Sequence, residues 1–292
     1  MQIPSIETYL KDLAEQGPLI FCPNAGNAGD SLIAHATFQL FERSNIPYQP
    51  YDSRRCDPSG KIMVYGGGGN LVPGDTPAWR FLERFHRTAK KLVVLPHTVC
   101  GHESLLASLG SNVDLIARER VSYDYLCKTA TRANVFLTDD LAFGLDVAEL
   151  LVAERSPFAL LASRHLELKR KLRGARIWLR ALKGSQNPVL NCFRTDCEKT
   201  GISLPADNAD LSKIFKYGTA TSRQAFLSTH MVFRFMNRFD EVRTNRLHMA
   251  IAGALLGKQV KFYPNNYYKC EAVYRFSLEN RFPNVQWIGE LE

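Results

Sequence analysis

The first half of the chain repeats one pattern: a short apolar run, a turn rich in glycine or acids, then residues at helical spacing. Pro18-Leu-Ile-Phe-Cys22 precedes Asp30 to Arg43, in which Leu32, Ile33, Ala36, Leu40 and Phe41 share one helical face. Lys61 to Tyr65, Lys91 to Leu95, Asp114 to Ala117 and Val135 to Leu137 read as further strands. The strand from Lys91 is expected to end at Pro96. Thr76 to Ala89, Glu103 to Leu109 and Ser122 to Thr129 read as helices. Strands that are apolar throughout suit a sheet covered on both faces, so the pattern predicts α/β structure with a parallel, doubly wound sheet.

The rhythm breaks between about Leu150 and Asn187 and then resumes. Val189 to Phe193, Glu241 to Thr244 and Val260 to Tyr263 read as strands, Ser222 to Thr229 and Leu247 to Leu256 as helices. Three parts follow: an N-terminal α/β domain over 1–150, a basic helical connecting segment over 151–187, and a C-terminal α/β domain over 188–292. A cleft at the carboxyl ends of the strands is the expected site.

In 292 residues, 45% hydrophobic, no apolar stretch reaches the length of about 18 that crosses a bilayer. The N-terminus carries acids and lacks the basic-then-apolar order of a secretory signal, which predicts a soluble intracellular protein. The seven cysteines are odd in number and form no CxxC pair, so reduced thiols are expected rather than a disulfide framework or zinc ribbon. The net charge of +8 is concentrated. Between Arg164 and Lys183 eight basic residues face Glu167 alone. The rest of the chain is close to neutral, which argues against nucleic-acid binding over a broad face. Leu166, Leu168, Leu172, Ile177, Trp178, Leu179 and Leu182 interleave with those charges. Residues 164–183 are expected either to lie on an anionic membrane surface or to form a solvated helix between the two halves.

Several motifs sit at strand ends. Pro23-Asn-Ala-Gly-Asn-Ala-Gly-Asp-Ser31 links a strand to a helix. It suits either an anion or hydroxyl at the helix start, or a turn capped by Asp30 or Ser31. Tyr65-Gly-Gly-Gly-Gly-Asn-Leu71 implies that something approaches the backbone closely. His97 falls just past the expected strand end. Asp139 and Asp140 could hold a metal, though acids at strand ends more often bind hydroxyls or cap helices. Arg194 offers a planar fixed charge for phosphate or carboxylate, or a surface ion pair with Asp196 or Glu198. Arg243-Thr-Asn-Arg-Leu-His-Met-Ala-Ile251 puts Arg246 and His248 at the start of an apolar helix, where an anion is stabilised and a proton can be moved.

Taken in order, N-A-G-N-A-G-D, Y-G-G-G-G-N, L-P-H-T, A-R-E at Ala117 to Glu119, D-D, F-R-T-D, T-N-R-L-H, G-A-L-L-G-K and N-N-Y-Y-K resemble the polysaccharide pyruvyl transferase family. The resemblance runs from about Pro18 to Leu278, outside the basic segment. T-N-R-L-H with the downstream N-x-Y-x-K carries most of it, and Asn265-Asn266-Tyr-Tyr-Lys269 suits the exopolysaccharide branch. One departure is His97, where the family commonly has glutamine.

The resemblance implies two Rossmann-like domains facing a cleft, similar to GT-B glycosyltransferases. It implies transfer of pyruvate from phosphoenolpyruvate to two sugar hydroxyls as a cyclic ketal. Arg246 and His248, with Arg194, map onto the family's phosphoenolpyruvate residues, His248 and Arg246 being the catalytic pair. The acceptor, a glycan or lipid-linked oligosaccharide, is expected against Asn24, Asn27, Asp30, Gly68, Asn70 and His97. Neither a metal nor a cofactor beyond the donor substrate is expected. The implied location is the cytoplasm, peripherally at the inner face of the plasma membrane. The rival readings are a nucleotide-sugar glycosyltransferase of similar architecture and a non-catalytic carbohydrate-binding relative.

Overall fold

The computed structural model describes residues 5–55, 57–152, 189–196, 198, 201 and 203–289. The basic segment 164–183, and with it the expected membrane-facing helix, lies outside the described residues. The chain forms two compact units: Met1–Ala25 with Ile33–Leu145, and Gly26–Leu32 with Asp146–Glu292. Both are mixed α/β structure around a parallel sheet.

In the first unit α1 (Ile6–Glu15) precedes β1 (Leu19–Cys22), and β2 (Tyr48–Pro50) and β3 (Ile62–Tyr65) flank β1 on either side. Then come β4 (Gly68–Leu71), α3 (Pro77–Phe85), β5 (Lys91–Val99), α4 (Glu103–Ser108), β6 (Val113–Ala117), α5 (Arg120–Thr129) and β7 (Asn134–Leu137). The helix between β1 and β2 is α2 (Ala28–Arg43). The sheet order is β2-β1-β3-β5-β6-β7, with β4 added on β5. Strand order reverses between β1 and β3, which makes their carboxyl ends the crevice of this sheet. Leu19, Phe21, Val64, Leu92, Val93 and Leu115 fill its core. Thr76 caps α3 by accepting the Trp79 N–H, with Pro77 at the first helical position.

β5 does not end at Pro96. It runs on to Val99 because β4 pairs with its far half, Gly68 opposite His97 and Leu71 opposite Val99. The β5–β6 register slips between Val94 and His97, where Pro96 has no N–H to give to the ladder. His97 is therefore an interior strand residue, not one beyond a strand end.

In the second unit the sheet order is β11 (Val285–Trp287), β10 (Gln259–Phe262), β9 (Glu241–Thr244), β8 (Val189–Asn191), all parallel. Its helices include α6 (Val147–Val152), α7 (Leu211–Ile214), α8 (Ser222–Met236), α9 (Leu247–Leu255) and α10 (Lys269–Val273). Gly253 lets α9 settle close on the sheet, since a Cβ there would stand 2.7 Å from Val260. Residues 26–32, read from sequence as part of the N-terminal domain, cluster here. Ser31 Oγ donates to the Gly218 carbonyl (3.2 Å), and Thr229 Oγ1 donates to the Ser31 carbonyl (3.2 Å). Among the described residues no helix is long and apolar enough to cross a membrane.

Candidate active site

The second unit gathers its charged residues where β8 and β9 end. The parallel register that sets Asn191 opposite Arg243 brings the two following loops together. Arg194 N–H donates to Asn245 Oδ1 (2.8 Å). Arg246 N–H donates to Thr244 Oγ1 (3.0 Å), whose hydroxyl donates to the Cys192 carbonyl (2.6 Å). These bonds fix both arginines at the backbone before their side chains are considered.

The side chains then meet on shared carboxylates. Arg246 Nε and Nη2 donate to Asp210 Oδ1 and Oδ2, each at 2.6 Å, and Nη2 also reaches Asp196 Oδ2 at 2.8 Å. Arg194 Nε donates to Asp196 Oδ1 (2.8 Å), and its Nη1 pairs with Glu198 Oε2 (2.5 Å). Lys269 Nζ joins Glu198 from α10 at 2.8 Å, and Asn265 Nδ2 approaches the same oxygen at 3.4 Å. Three cations thus face three carboxylates. Arg194, Arg246 and Asp210 are buried, whereas the Asp196 and Glu198 side chains are 26% and 29% exposed. The last two therefore form the solvent side of the cluster. Burial works against the charge on Asp196, but the hydrogen bond from Arg194 and the charges of Arg246 and Arg194 outweigh it and hold the carboxyl well below the usual range. Glu198 is lowered likewise, against burial, mainly by Lys269 and Arg194.

His248, the second residue of α9, is half-buried. Its ring packs on residues 26–32: a Cβ placed on Gly29 would lie 2.7 Å from His248 Nδ1 and 3.2 Å from its Cβ. Asn27 caps α2, its Oδ1 accepting the Gly29 N–H (2.8 Å), while Asp30 Oδ2 accepts the Asn27 N–H (2.8 Å) in a capping box. Asn27 and Asp30, read from sequence as acceptor residues, thus shape the turn itself and sit in the same unit as His248.

Asn24, Gly68, Asn70 and His97 lie in the first unit. Tyr65 Oη and Asn70 Nδ2 both donate to Asn24 Oδ1 (2.8 Å each). Asn70 N–H donates to His97 Nε2 (3.2 Å), and Asn70 Oδ1 stands 2.9 Å from the same nitrogen. What approaches the glycine run is the chain itself. A Cβ on Gly66 would be 2.6 Å from the Asn24 backbone nitrogen, and one on Gly68 would overlap Asn24 Nδ2. His97 is fully buried. Burial, then the nearby Arg118 charge, lowers its pKa to about 3, so it stays neutral at physiological pH.

The A-R-E and D-D motifs have structural duties. Arg118 Nη1 donates to Asp140 Oδ2 (2.7 Å) and Nε to Thr98 Oγ1 (2.9 Å), with both charged side chains buried. Glu119 caps α5 through the Ser122 N–H (2.9 Å). Asp140 also accepts the Ala142 N–H at 2.9 Å. Among the described residues no group of three His, Cys, Asp or Glu side chains is placed to hold a metal. Asp210 is the site residue that the sequence did not disclose, since a lone acid ahead of Leu-Ser-Lys-Ile214 carries no motif.

Comparison with curated proteins found no match. Among solved structures the chain is similar to a functionally uncharacterized protein from Klebsiella pneumoniae subsp. pneumoniae NTUH-K2044. The two share 32% identity over 97% of this chain and 96% of that one, with a TM-score of 0.76. The family model for polysaccharide pyruvyl transferase matches residues 27–267, which span the Asn27 cap, both arginines and His248. The chain belongs to the polysaccharide pyruvyl transferase family.

Proposed function

We propose that the chain moves pyruvate from phosphoenolpyruvate onto two hydroxyls of a sugar, in a polysaccharide or lipid-linked oligosaccharide, as a ketal, with release of phosphate. The observation that carries this reading is the meeting of Arg194 and Arg246 on one carboxylate, Asp196, with His248 two residues further along at the start of α9. A donor with a phosphate and a carboxylate calls for two fixed cations and a helix N-terminus. Among the described residues Asp210 engages Nε and Nη2 of Arg246, and the Nη1 edge is the one assigned to the ligand. Asp196 and Glu198, on the solvent side, are the carboxylates that the donor would have to displace or share the cations with.

In the proposed step the first sugar hydroxyl attacks C2 of the enol and C3 takes up a proton, giving a phosphorylated tetrahedral ketal. The second hydroxyl then closes on C2 as the C2–O bond to phosphate breaks, and its proton leaves with the phosphate. His248 is assigned as the group that moves the protons, for an expected gain of about 10²–10⁴-fold. The same reading takes the two parallel-sheet units as the Rossmann-like domains of a GT-B-like enzyme. It places the acceptor on the first unit near Asn24 and Asn70, and expects residues 164–183 to bring the enzyme to an anionic membrane.

Thermal unfolding with phosphoenolpyruvate, beside UDP- and GDP-sugars, tests the donor. At about 100 times its dissociation constant a ligand adds about 2.7 kcal/mol. Stabilisation by phosphoenolpyruvate alone, lost in Arg246→Ala, is the expected result; stabilisation by a nucleotide-sugar alone would overturn the reading. Flotation with anionic liposomes tests the membrane: wild type should float, and a variant with Gln for the Lys and Arg of 164–183 should not.

A further inference from the structure

The N-A-G-N-A-G-D turn reads from sequence as an acceptor element, yet its residues 26–32 cluster with the unit that carries His248. Three features show that this turn has little freedom. Within it, Asp30 accepts the Asn27 N–H and Asn27 accepts the Gly29 N–H. Gly26 leaves room for that closure, because a Cβ there would overlap the Asp30 carboxylate. From outside, Ser31 is held through both its hydroxyl and its carbonyl, by Gly218 and by Thr229 of α8. Against this pinned turn lies the imidazole of His248, so close that the Gly29 hydrogen is the largest substituent that fits beside Nδ1.

We infer that the first turn of α2, with Gly29 at its centre, is a positioning element for His248: it sets the ring's orientation and so which nitrogen points into the reaction. This rests on the role proposed above for His248. A methyl group at Gly29 would meet Asn27 Oδ1 of the closed cap at 3.0 Å on one side and His248 on the other, Nδ1 at 2.7 Å and Cβ at 3.2 Å. The tightest of these contacts is with the ring nitrogen, so the imidazole is displaced from its bearing while Cβ gives by a few tenths of an ångström. A ring turned away from its bearing still leaves both arginines in place. Proton transfer should therefore suffer far more than donor binding, because misplacement of about 1 Å can cost 10²-fold in rate.

The test is Gly29→Ala, with Asn27→Ala as a milder variant that loosens the cap without adding bulk. Each is compared with wild type by kinetics and by NMR of ¹⁵N-labelled histidine rings in the full chain, the His248 signals being assigned through His248→Ala. Gly29→Ala is expected to lower kcat at least about tenfold with KM for phosphoenolpyruvate within about threefold. It should move the His248 ring signals, and in the His248→Ala background it should cause no further loss. Asn27→Ala should shift the same signals in a smaller degree and decides the matter if Gly29→Ala does not fold. Unchanged His248 signals in a folded variant, or losses that add to those of His248→Ala, would overturn the inference. The ring signals need no substrate, so they answer even if phosphoenolpyruvate proves not to be the donor.

Discussion

Arg246 and Asp210 lie side-on to each other, Nε to Oδ1 and Nη2 to Oδ2, each 2.6 Å apart, and both side chains are buried. Two parallel charge-assisted bonds are the strong kind, and they set the plane of the guanidinium. Asp210 itself is anchored by the Thr195 hydroxyl (3.0 Å) and the Thr195 N–H (3.1 Å). The loop after β8, the start of α7 and the start of α9 are thereby tied at one carboxylate.

That arrangement makes Asp210 the most costly acid to remove from the cluster. Loss of one partner from a buried ion pair leaves an uncompensated charge, at about 3–5 kcal/mol. Asp210→Asn is expected to lose stability toward the low end of that range, because Arg246 keeps Asp196 at 2.8 Å. Asp196→Asn should lose clearly less, because Asp196 is partly exposed and Arg246 keeps its bidentate partner. Urea unfolding of the two variants checks the order, and equal losses would contradict it.

His248→Ala should separate binding from chemistry. The donor's charges are assigned to Arg194 and Arg246, each fixed through its own backbone N–H independently of His248. Turnover is expected to fall about 10²–10⁴-fold, with the phosphoenolpyruvate dissociation constant within about threefold. Titration calorimetry and phosphate release, measured on one preparation, check this. A variant that binds poorly yet turns over normally would remove His248 from its assigned role.

How much of this was legible in the sequence depends on the range of the interaction. Buried strands announce themselves through uninterrupted apolar runs, so β1 and β3 stand where the runs stand. The edge strand β2 carries no such mark. β2 is three exposed residues, Tyr-Gln-Pro, and takes its conformation from pairing with β1 and from the packing of Tyr48 on Phe21, Phe38 and Phe41. Pro96 reads as a strand end, because no local rule foretells that β4 will give β5 a partner beyond it. The R-L-H segment is visible because its residues are neighbours in sequence. Asp210, 36 residues from Arg246, is not. The turn over 26–32 was visible as a motif, but its place beside His248 is set by contacts with Gly218 and Thr229, far along the chain.

The glycines after β3 yield a prediction about stability rather than ligands. A Cβ on Gly66 would meet the Asn24 backbone nitrogen at 2.6 Å and Pro23 Cα at 3.2 Å, atoms that no rotamer change can move aside. Gly66→Ala is therefore expected to destabilise by about 1–3 kcal/mol through overpacking. Gly201, where an added Cβ meets nothing within 4 Å, should tolerate alanine within about 0.5 kcal/mol. Chemical denaturation of both checks the contrast; a neutral Gly66→Ala would mean that strand and turn are less closely packed than described.

His97 makes stability depend on pH with a definite sign. Its native pKa is lowered to about 3 from an ordinary 6.5, first by burial and then by Arg118. Between those values the unfolded chain binds a proton that the native state refuses, so stability falls as pH falls through 6.5 and keeps falling toward 3. At pH 5 the loss is about 2 kcal/mol relative to neutral pH. His35, lowered to about 4 by burial, adds a contribution of the same sign. His97→Gln offers Asn70 an uncharged partner that no longer titrates. The variant should lose about 2 kcal/mol less than wild type between pH 7 and pH 5 while keeping the slope due to His35. Urea unfolding of both proteins at the two pH values measures the difference. Identical pH dependence would mean that His97 takes up its proton in the native state as readily as in the unfolded chain, and that the Asn24–Asn70–His97 network is open to water.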